Sequence, residues 1–152
     1  MPHQDPFAIS QGLKIFDSHL HIVNPDFPLI PNQGYLPKPF TAKDYLLKIN
    51  DIPVLGGAIV SGSFQGFDQS YLIDALNKLG ESYVGVTQVP VNIKDDALIQ
   101  LNNAGVRALR FNLYRGGSEA MKHMQDMALR VHELVGWHIE LYIDCLLYTS
   151  DA

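Results

Sequence analysis

Apolar and polar side chains alternate along residues 14–22, and this pattern predicts a β-strand. Successive side chains of a strand point to opposite faces, so Asp17, His19 and His21 are predicted to share one face. The opposite face is apolar. Two imidazoles at positions i and i+2 lie close enough to bind one divalent cation, with the Asp17 carboxylate behind them. The alternative interpretation is a pair of solvated or core histidines.

The rest of the chain alternates between predicted strands and predicted helices. Apolar segments bounded by glycine, proline or serine predict four further strands, at residues 54–61, 83–91, 106–113 and 137–144. Helical spacing of apolar residues and the residues that cap it predict four helices, at residues 41–50, 68–79, 94–104 and 118–135. Repetition of strand and helix predicts a parallel sheet, because parallel strands need crossover connections.

This α/β pattern of about five strands and four helices predicts the N-terminal portion of a (β/α)8 TIM barrel. A closed eightfold barrel typically needs about 250 residues, whereas this chain has 152. A complete doubly wound sheet of five strands is the alternative. It is disfavoured because the first strand leads into a proline-rich loop at residues 24–39 instead of a glycine-rich phosphate-binding turn.

Two loops at strand ends are candidate parts of a site. The proline-rich loop at residues 24–39 leaves the end of the histidine strand, and long loops in compact domains are often functional covers. It is interpreted either as a lid or as a structural excursion. Ser63 lies in a glycine-flanked loop after the second strand. Its hydroxyl is a candidate donor to an anion, with a plain turn serine as the alternative.

Polar side chains also lie near the ends of the fourth and fifth strands. Alternation places Arg110 and Asn112 on one face of the fourth strand, and His138, Glu140 and Tyr142 on one face of the fifth. In a barrel this polar face is the interior. Arg110 is a candidate to bind a substrate carboxylate through a bidentate contact. The alternative is an interior ion pair between Arg110 and Glu140.

Composition and charge narrow the class of protein. Apolar residues make up 47% of the chain, which fits a globular domain with a core. A net charge of −5 with scattered basic residues argues against nucleic-acid binding. The sequence has no apparent signal peptide, no run long enough to span a membrane, and one cysteine, which cannot form an internal disulfide. A cytoplasmic protein is therefore expected.

Five segments of the chain resemble the amidohydrolase superfamily, and within it the amidohydrolase-2 group close to 2-pyrone-4,6-dicarboxylate lactonases. They occur in the order found in the family and span residues 14–144. The segments are Phe-Asp-Ser-His-Leu-His at 16–21, Tyr-x-Pro at 35–37 leading to Asp-Tyr-Leu at 44–46, Gly-Ser-Phe-Gln-Gly-Phe-Asp at 62–68, Ala-Gly-Val-Arg-Ala-Leu-Arg-Phe-Asn at 104–112 and Trp-His-Ile-Glu-Leu-Tyr at 137–142.

The resemblance implies a (β/α)8 barrel that hydrolyses a lactone, or a related ester or amide, of a small carboxylated molecule. It implies that His19 and His21 are catalytic. They would be ligands of a divalent metal ion, with zinc as the first candidate, or would polarise the scissile carbonyl in lactonases that work without metal. It also implies a set of residues that bind substrate carboxylates: Tyr35, Ser63, Arg110, Arg115 and Tyr142.

The chain departs from the family after the fifth strand. The family takes a further histidine from a later strand and a general-base aspartate from the end of the eighth strand, and neither residue is present. Residues 145–152 do not resemble the family. The expected organisation is a lead-in at residues 1–13, a partial barrel at residues 14–144 and a foreign tail at residues 145–152 of a truncated chain.

Without that aspartate the chain alone is expected to be inactive, because general-base catalysis contributes about 10²–10⁴-fold to the rate. A decarboxylase of the same superfamily and a non-catalytic fragment that binds a metal or an organic acid are the alternatives. Open sheet edges and uncovered apolar surface predict self-association. A small carboxylated substrate is the expected partner, with no nucleic acid and no membrane.

Overall fold

The computed structural model describes residues 12–144, in which five strands alternate with four helices. The strands are β1 (Ile15–Leu20), β2 (Val54–Val60), β3 (Tyr83–Thr87), β4 (Val106–Asn112) and β5 (His138–Tyr142). The helices are α1 (Ala42–Lys48), α2 (Ser70–Leu79), α3 (Asp95–Asn103) and α4 (Met124–Val135). Within residues 12–144, no helix is long and apolar enough to cross a membrane. The predicted tail at residues 145–152 and most of the predicted lead-in lie outside the described residues.

The boundaries of the helices follow from the residues at their ends. Thr41 caps α1, because the Asp44 N–H donates to Thr41 Oγ1 at 3.3 Å and the Thr41 N–H donates to Asp44 Oδ2 at 2.8 Å. The predicted start of the fourth helix, by contrast, is wrong. The α4 helix begins at Met124, because the Ser118 hydroxyl accepts a hydrogen bond from the Asn112 N–H at 2.8 Å instead of capping a helix.

The five strands lie in the order in which they occur along the chain, and every neighbouring pair is parallel. The buried helix residues all pack in one cluster on one face of the sheet. The other face carries a separate small cluster of strand residues, namely Ala58, Val60, Val86 and Ala108. A doubly wound sheet would reverse its strand order and carry helices on both faces. The predicted fold, the N-terminal portion of a (β/α)8 TIM barrel, is therefore confirmed.

The β4 strand shows how this packing positions polar groups. Leu109 and Phe111 are buried in the cluster beneath the helices, whereas Ala108 belongs to the cluster on the other face. Arg110 and Asn112 continue the face of Ala108 toward the end of the strand, as the alternation predicts. These polar side chains are thus held on the interior face of the partial barrel, at the carboxyl ends of the strands.

The alternation predicted for residues 14–22 is interrupted inside β1. The pairing of β1 with β2 shifts register between Asp17 and Leu20, where β1 contains one residue more than β2. Such an insertion is a β-bulge, and it changes which face the following side chains occupy. The Tyr45 hydroxyl of α1 donates to Asp17 Oδ2 at 3.1 Å. Asp17 therefore faces the helix layer, and the prediction that it shares a face with the two histidines is wrong, although its Oδ1 accepts a hydrogen bond from the His19 N–H at 3.4 Å.

Candidate active site

His19 and His21 lie at the carboxyl end of β1, where the proline-rich loop begins. Their ring centres are 4.9 Å apart and their planes are perpendicular. His21 Nδ1 lies 2.7 Å from the carbonyl oxygen of Val60, the last residue of β2. A carbonyl oxygen can only accept, so Nδ1 donates its proton, and Nε2 carries the lone pair of the neutral ring. The backbone of β2 thereby makes His21 Nε2 a proton acceptor or a metal ligand.

Both imidazoles favour the neutral form. Burial lowers the pKa of His19 below its ordinary value, and the positive charge of Arg110 lowers this pKa further, whereas the negative charges of Glu140 and Asp17 oppose the shift. Burial also lowers the pKa of His21, an effect that its hydrogen bond to Val60 opposes. Neutral imidazoles have a lone pair available, so both side chains can accept a proton or bind a cation.

Arg110 is held from two sides near the end of β4. Its side chain is buried, Nη1 donates to the carbonyl oxygen of Ser61 at 2.9 Å, and the guanidinium carbon lies 5.3 Å from the centre of the Tyr142 ring. Glu140 lies within ion-pair distance of His138, at 3.5 Å, and not of Arg110, so the alternative interior ion pair is not formed. A guanidinium has five N–H groups, and those that remain can bind a carboxylate.

The proline-rich loop at residues 24–39 folds over the carboxyl ends of β1 and β2. The Ile30 N–H donates to the carbonyl oxygen of Phe64 at 2.7 Å. The Asn32 side-chain amide donates to Ser63 Oγ at 2.8 Å. Both contacts join this loop to the glycine-flanked loop after β2, so the geometry favours the interpretation of residues 24–39 as a cover over the site.

The segment that follows β4 packs against the same place. Asn112 Oδ1 accepts a hydrogen bond from the Arg115 N–H at 3.0 Å, which turns the chain back after the strand. A Cβ atom on Gly117 would lie only 2.8 Å from the carbonyl oxygen of Ser63. The φ angle of Gly117 is +80°, a value that also favours glycine. Glycine at this position thus allows the loops after β2 and β4 to touch.

One cavity of about 340 Å³ brings together all seven residues predicted for the site. These are His19, His21, Tyr35, Ser63, Arg110, Arg115 and Tyr142, and the remaining lining residues are Val23, Pro37, Gly62, Phe64 and Asn112. Among the described residues the lining has two arginines and no carboxylate, so it attracts anions. The arrangement can bind a small anion and hold it against two neutral imidazoles.

Gln65 and Gln88 support the cavity without lining it, and neither was predicted from the sequence. Gln65 Nε2 donates to the carbonyl oxygen of Ile22 at 2.7 Å, and its Oε1 accepts from the Gly62 N–H at 2.8 Å. Gln88 Nε2 donates to the carbonyl oxygens of Gly62 and Gly66, at 3.2 and 3.1 Å. The sequence offered one signal for each residue. Gln88 comes directly after a buried strand, and Gln65 lies between two glycines. Unpaired backbone groups at such places need a hydrogen-bond partner.

The part of the chain that the structure describes does not complete a metal site by itself. Within residues 12–144, no three His, Cys, Asp or Glu side chains are grouped closely enough to hold a metal ion. A catalytic zinc ion usually has three protein ligands. Asp17 is bonded to Tyr45 instead. His19 and His21 can therefore supply two nitrogen ligands, which is part of such a set.

Two curated proteins are similar to this chain over about half of their own length. A 2-pyrone-4,6-dicarboxylate hydrolase from Comamonas testosteroni is 29% identical over 150 residues, which cover 95% of this chain and 48% of that protein. A 4-sulfomuconolactone hydrolase from Rhizobium radiobacter is 30% identical over 138 residues, which cover 89% of this chain and 44% of that protein. The chain thus spans about half the length of the curated relatives it matches.

A solved structure shares the fold. It is the crystal structure of a probable 2-pyrone-4,6-dicarboxylic acid hydrolase from Acinetobacter baumannii with citric acid bound, and its TM-score to this chain is 0.73. The sequence identity is 22%, and the match covers 84% of this chain and 49% of that chain. At this identity the likeness establishes the fold, which agrees with a partial barrel.

The family follows from a match along most of the chain. The amidohydrolase family model matches residues 16–147 of the 152. The matched range contains nearly all of the five strands and every residue predicted for the site. The resemblance inferred from the five sequence segments is therefore confirmed, and the chain belongs to the amidohydrolase family.

Proposed function

We propose that this chain carries part of the active site of a hydrolase that opens the lactone ring, or cleaves a related ester, of a small carboxylated molecule. The observation that carries the proposal is the convergence of His19, His21 and Arg110 on one cavity. The names of the two curated relatives, a dicarboxylate hydrolase and a sulfomuconolactone hydrolase, support an acidic lactone as the substrate class.

Arg110 is the proposed principal contact for a substrate carboxylate. It is buried, and hydrogen bonds between a guanidinium and a carboxylate are stronger where water is excluded. The proposed further contacts to substrate carboxylates are the other lining residues that carry donors: Tyr35, Ser63, Arg115 and Tyr142. In this arrangement the acidic groups of the lactone fix its position, and its carbonyl carbon lies against the histidine pair.

The two histidines are proposed to have different roles at that carbonyl. His21 donates its Nδ1 proton to Val60, so in its neutral form it acts through the Nε2 lone pair. In a reaction without metal, His19, whose ring makes no such backbone contact in the described structure, is the proposed donor to the carbonyl oxygen. In a metal-dependent reaction, a divalent cation, with zinc as the first candidate, is the proposed cofactor. One ring nitrogen of each histidine would then bind the cation, which would polarise the carbonyl and acidify a bound water.

We expect the 152-residue chain alone to bind such a lactone without turning it over. In the described residues no carboxylate lines the cavity, so a strong general base is missing. The family takes this base from the end of the eighth strand, and residues 12–144 contain five strands. Turnover by the purified chain that is lost on His19→Ala would contradict this expectation.

A hybrid enzyme tests the proposed reaction. Residues 14–144 would replace the matched part of the Comamonas testosteroni hydrolase, and ring opening of 2-pyrone-4,6-dicarboxylate would be followed by the loss of its ultraviolet absorbance. We expect the hybrid to open the ring and His19→Ala to abolish the activity. A folded hybrid that binds the lactone but leaves it intact would contradict the proposal, and release of carbon dioxide would identify a decarboxylase.

A further inference from the structure

Asn32 is a side chain of the proline-rich loop that contacts two other loops of the site. Its Nδ2 donates to Ser63 Oγ and to the carbonyl oxygen of Arg115, each at 2.8 Å. A side-chain amide nitrogen carries two hydrogens, so both donors of Asn32 are used. Asn32 therefore links the loops that follow β1, β2 and β4.

The backbone around Asn32 holds this side chain in place. Asn32 and Tyr35 exchange two backbone hydrogen bonds, each of 2.9 Å, and so close a two-residue turn. The φ angles of Gln33 and Gly34 are +51° and +79°, and a type I′ turn requires positive φ at both positions. Positive φ is unfavourable for a glutamine, so its surroundings must stabilise this turn.

The contact with Asn32 determines how the Ser63 hydroxyl can act. Ser63 Oγ accepts from the Asn32 amide, whose nitrogen has no lone pair to accept a proton in return. Among residues 12–144 this hydroxyl donates to no protein acceptor, and Ser63 lines the cavity. Its proton is therefore directed at whatever acceptor occupies the cavity.

We propose that Asn32 is a positioning residue, which orients the Ser63 hydroxyl as a donor to an anionic group of the ligand. The same amide donates to the Arg115 carbonyl, so the positions of two residues that line the cavity depend on Asn32. The identification of the anion as a carboxylate rests on the proposed function. The orientation of Ser63 by Asn32 rests on the hydrogen bonds alone.

Binding of isophthalate (benzene-1,3-dicarboxylate) to the 152-residue chain, measured by calorimetry, tests this proposal. Isophthalate has no lactone, so the result is independent of hydrolysis. Asn32→Asp keeps the size of the side chain but replaces its donors with acceptors, so the Ser63 proton turns away from the cavity. We expect the Kd to rise about tenfold or more.

Two controls separate positioning from charge and from loop stability. Gln33→Glu places the same charge one residue away in the same turn, and we expect its Kd to stay within about twofold of the original. In a Ser63→Ala background, Asn32→Asp should have a smaller effect, because no hydroxyl remains to be oriented and only the link to the Arg115 segment is lost. If Asn32→Asp does not fold, Asn32→Ala replaces it in both backgrounds, with a smaller expected loss.

Three results would overturn the proposal: an original chain that does not bind isophthalate, an Asn32→Asp variant whose Kd stays within twofold, or an equal loss in the Ser63 and Ser63→Ala backgrounds. The last result would assign Asn32 to loop structure alone. Failure of the hybrid enzyme to open the lactone, with these binding results intact, would contradict only the proposed reaction.

Discussion

The protonation states of His19 and His21 follow from burial and from two contacts. Burial and the nearby Arg110 charge lower the pKa of both rings, and the Val60 carbonyl fixes the proton of His21 on Nδ1. A buried cation thus lies beside the histidines, and Glu140, whose charge opposes the lowering of the pKa of both His19 and Arg110, does not line the cavity. This combination suits a site in which an acidic substrate meets groups that act as neutral acceptors.

The lowered histidine pKa values predict how stability depends on pH. In the unfolded chain a histidine has a pKa of about 6.5, so between this value and the lower folded pKa the unfolded chain binds more protons. The contribution of the two histidines to the free energy of unfolding is therefore fully present above about pH 6.5, and it is lost as the solution is acidified below this value. We expect a lower urea midpoint at about pH 5.5 than at about pH 7.5, and His21→Gln should reduce the difference.

His132→Gln is the control for this experiment, because His132 lies on the exposed side of α4. It should leave the pH dependence unchanged. Carboxylates titrate mainly at lower pH and contribute little in this window. A urea midpoint that rises on acidification would contradict the account of the histidine environments.

Arg110 is predicted to provide most of the affinity for carboxylates. Charged hydrogen bonds contribute about 1.5–3 kcal/mol, so Arg110→Gln should raise the Kd for 2-pyrone-4,6-dicarboxylate by about 10–100-fold in calorimetry. Arg107→Gln is a matched control, since Arg107 is exposed on the same strand and bonds to Asn102. Equal effects of the two substitutions would contradict a specific role of Arg110.

At the scale of single residues, the sequence predicted side chains that line the cavity and missed the amides that link the loops around it. Arg110 and the two histidines were recognised because few functions other than binding or catalysis place such groups on an interior face. Asn32 and Gln65 act through hydrogen bonds to distant loops, and their partners depend on the folded arrangement. Polarity alone does not distinguish such an amide from a solvated one.

At the scale of elements, the bulge in β1 decides which side chains belong to the site. An extra residue between Asp17 and Leu20 sends Asp17 to α1 and the histidines to the cavity. The alternation alone could not predict this, because a bulge depends on the pairing with the neighbouring strand. The start of α1 at its Thr41 cap, which is a local feature, agrees with the helix predicted at residues 41–50.

The contact between Asp17 and Tyr45 is predicted to stabilise the fold without affecting the ligand. Tyr45→Phe removes the hydroxyl that donates to Asp17, so the free energy of unfolding should fall by about 1–2 kcal/mol in urea titrations. Calorimetry should show an unchanged Kd for 2-pyrone-4,6-dicarboxylate. A Kd raised tenfold with unchanged stability would instead place Asp17 in the binding site.

At the scale of the whole molecule, the order of the strands was the most predictable feature. Repetition of strand and helix predicts neighbouring parallel strands, and a polar interior face favours a barrel over a doubly wound sheet. The five strands follow this order. The described part of the sheet has β1 and β5 as its outer strands, each paired on one side.

Self-association of the chain through these outer strands stays a prediction. Phe16 on β1 is 56% exposed and Leu141 on β5 is 49% exposed, and exposed apolar edge strands tend to pair with other chains. We expect concentration-dependent association in sedimentation velocity. Leu141→Lys should reduce it, whereas Leu129→Lys, at an equally exposed position on α4, should not. A monomer at all concentrations with a cooperative thermal transition would contradict this prediction.

An acidic lactone that binds between the histidine pair and Arg110 would change the surroundings of both imidazoles, and ¹⁵N NMR of the histidine rings detects such a change. The chain would be labelled at its histidines and titrated with 2-pyrone-4,6-dicarboxylate. We predict that the ring resonances of His19 and His21 shift, that His21 shows its proton on Nδ1, and that His123 and His132, which do not line the cavity, remain unchanged. Saturating ligand without any shift of His19 and His21, or with equal shifts of all the histidines, would contradict this placement of the lactone.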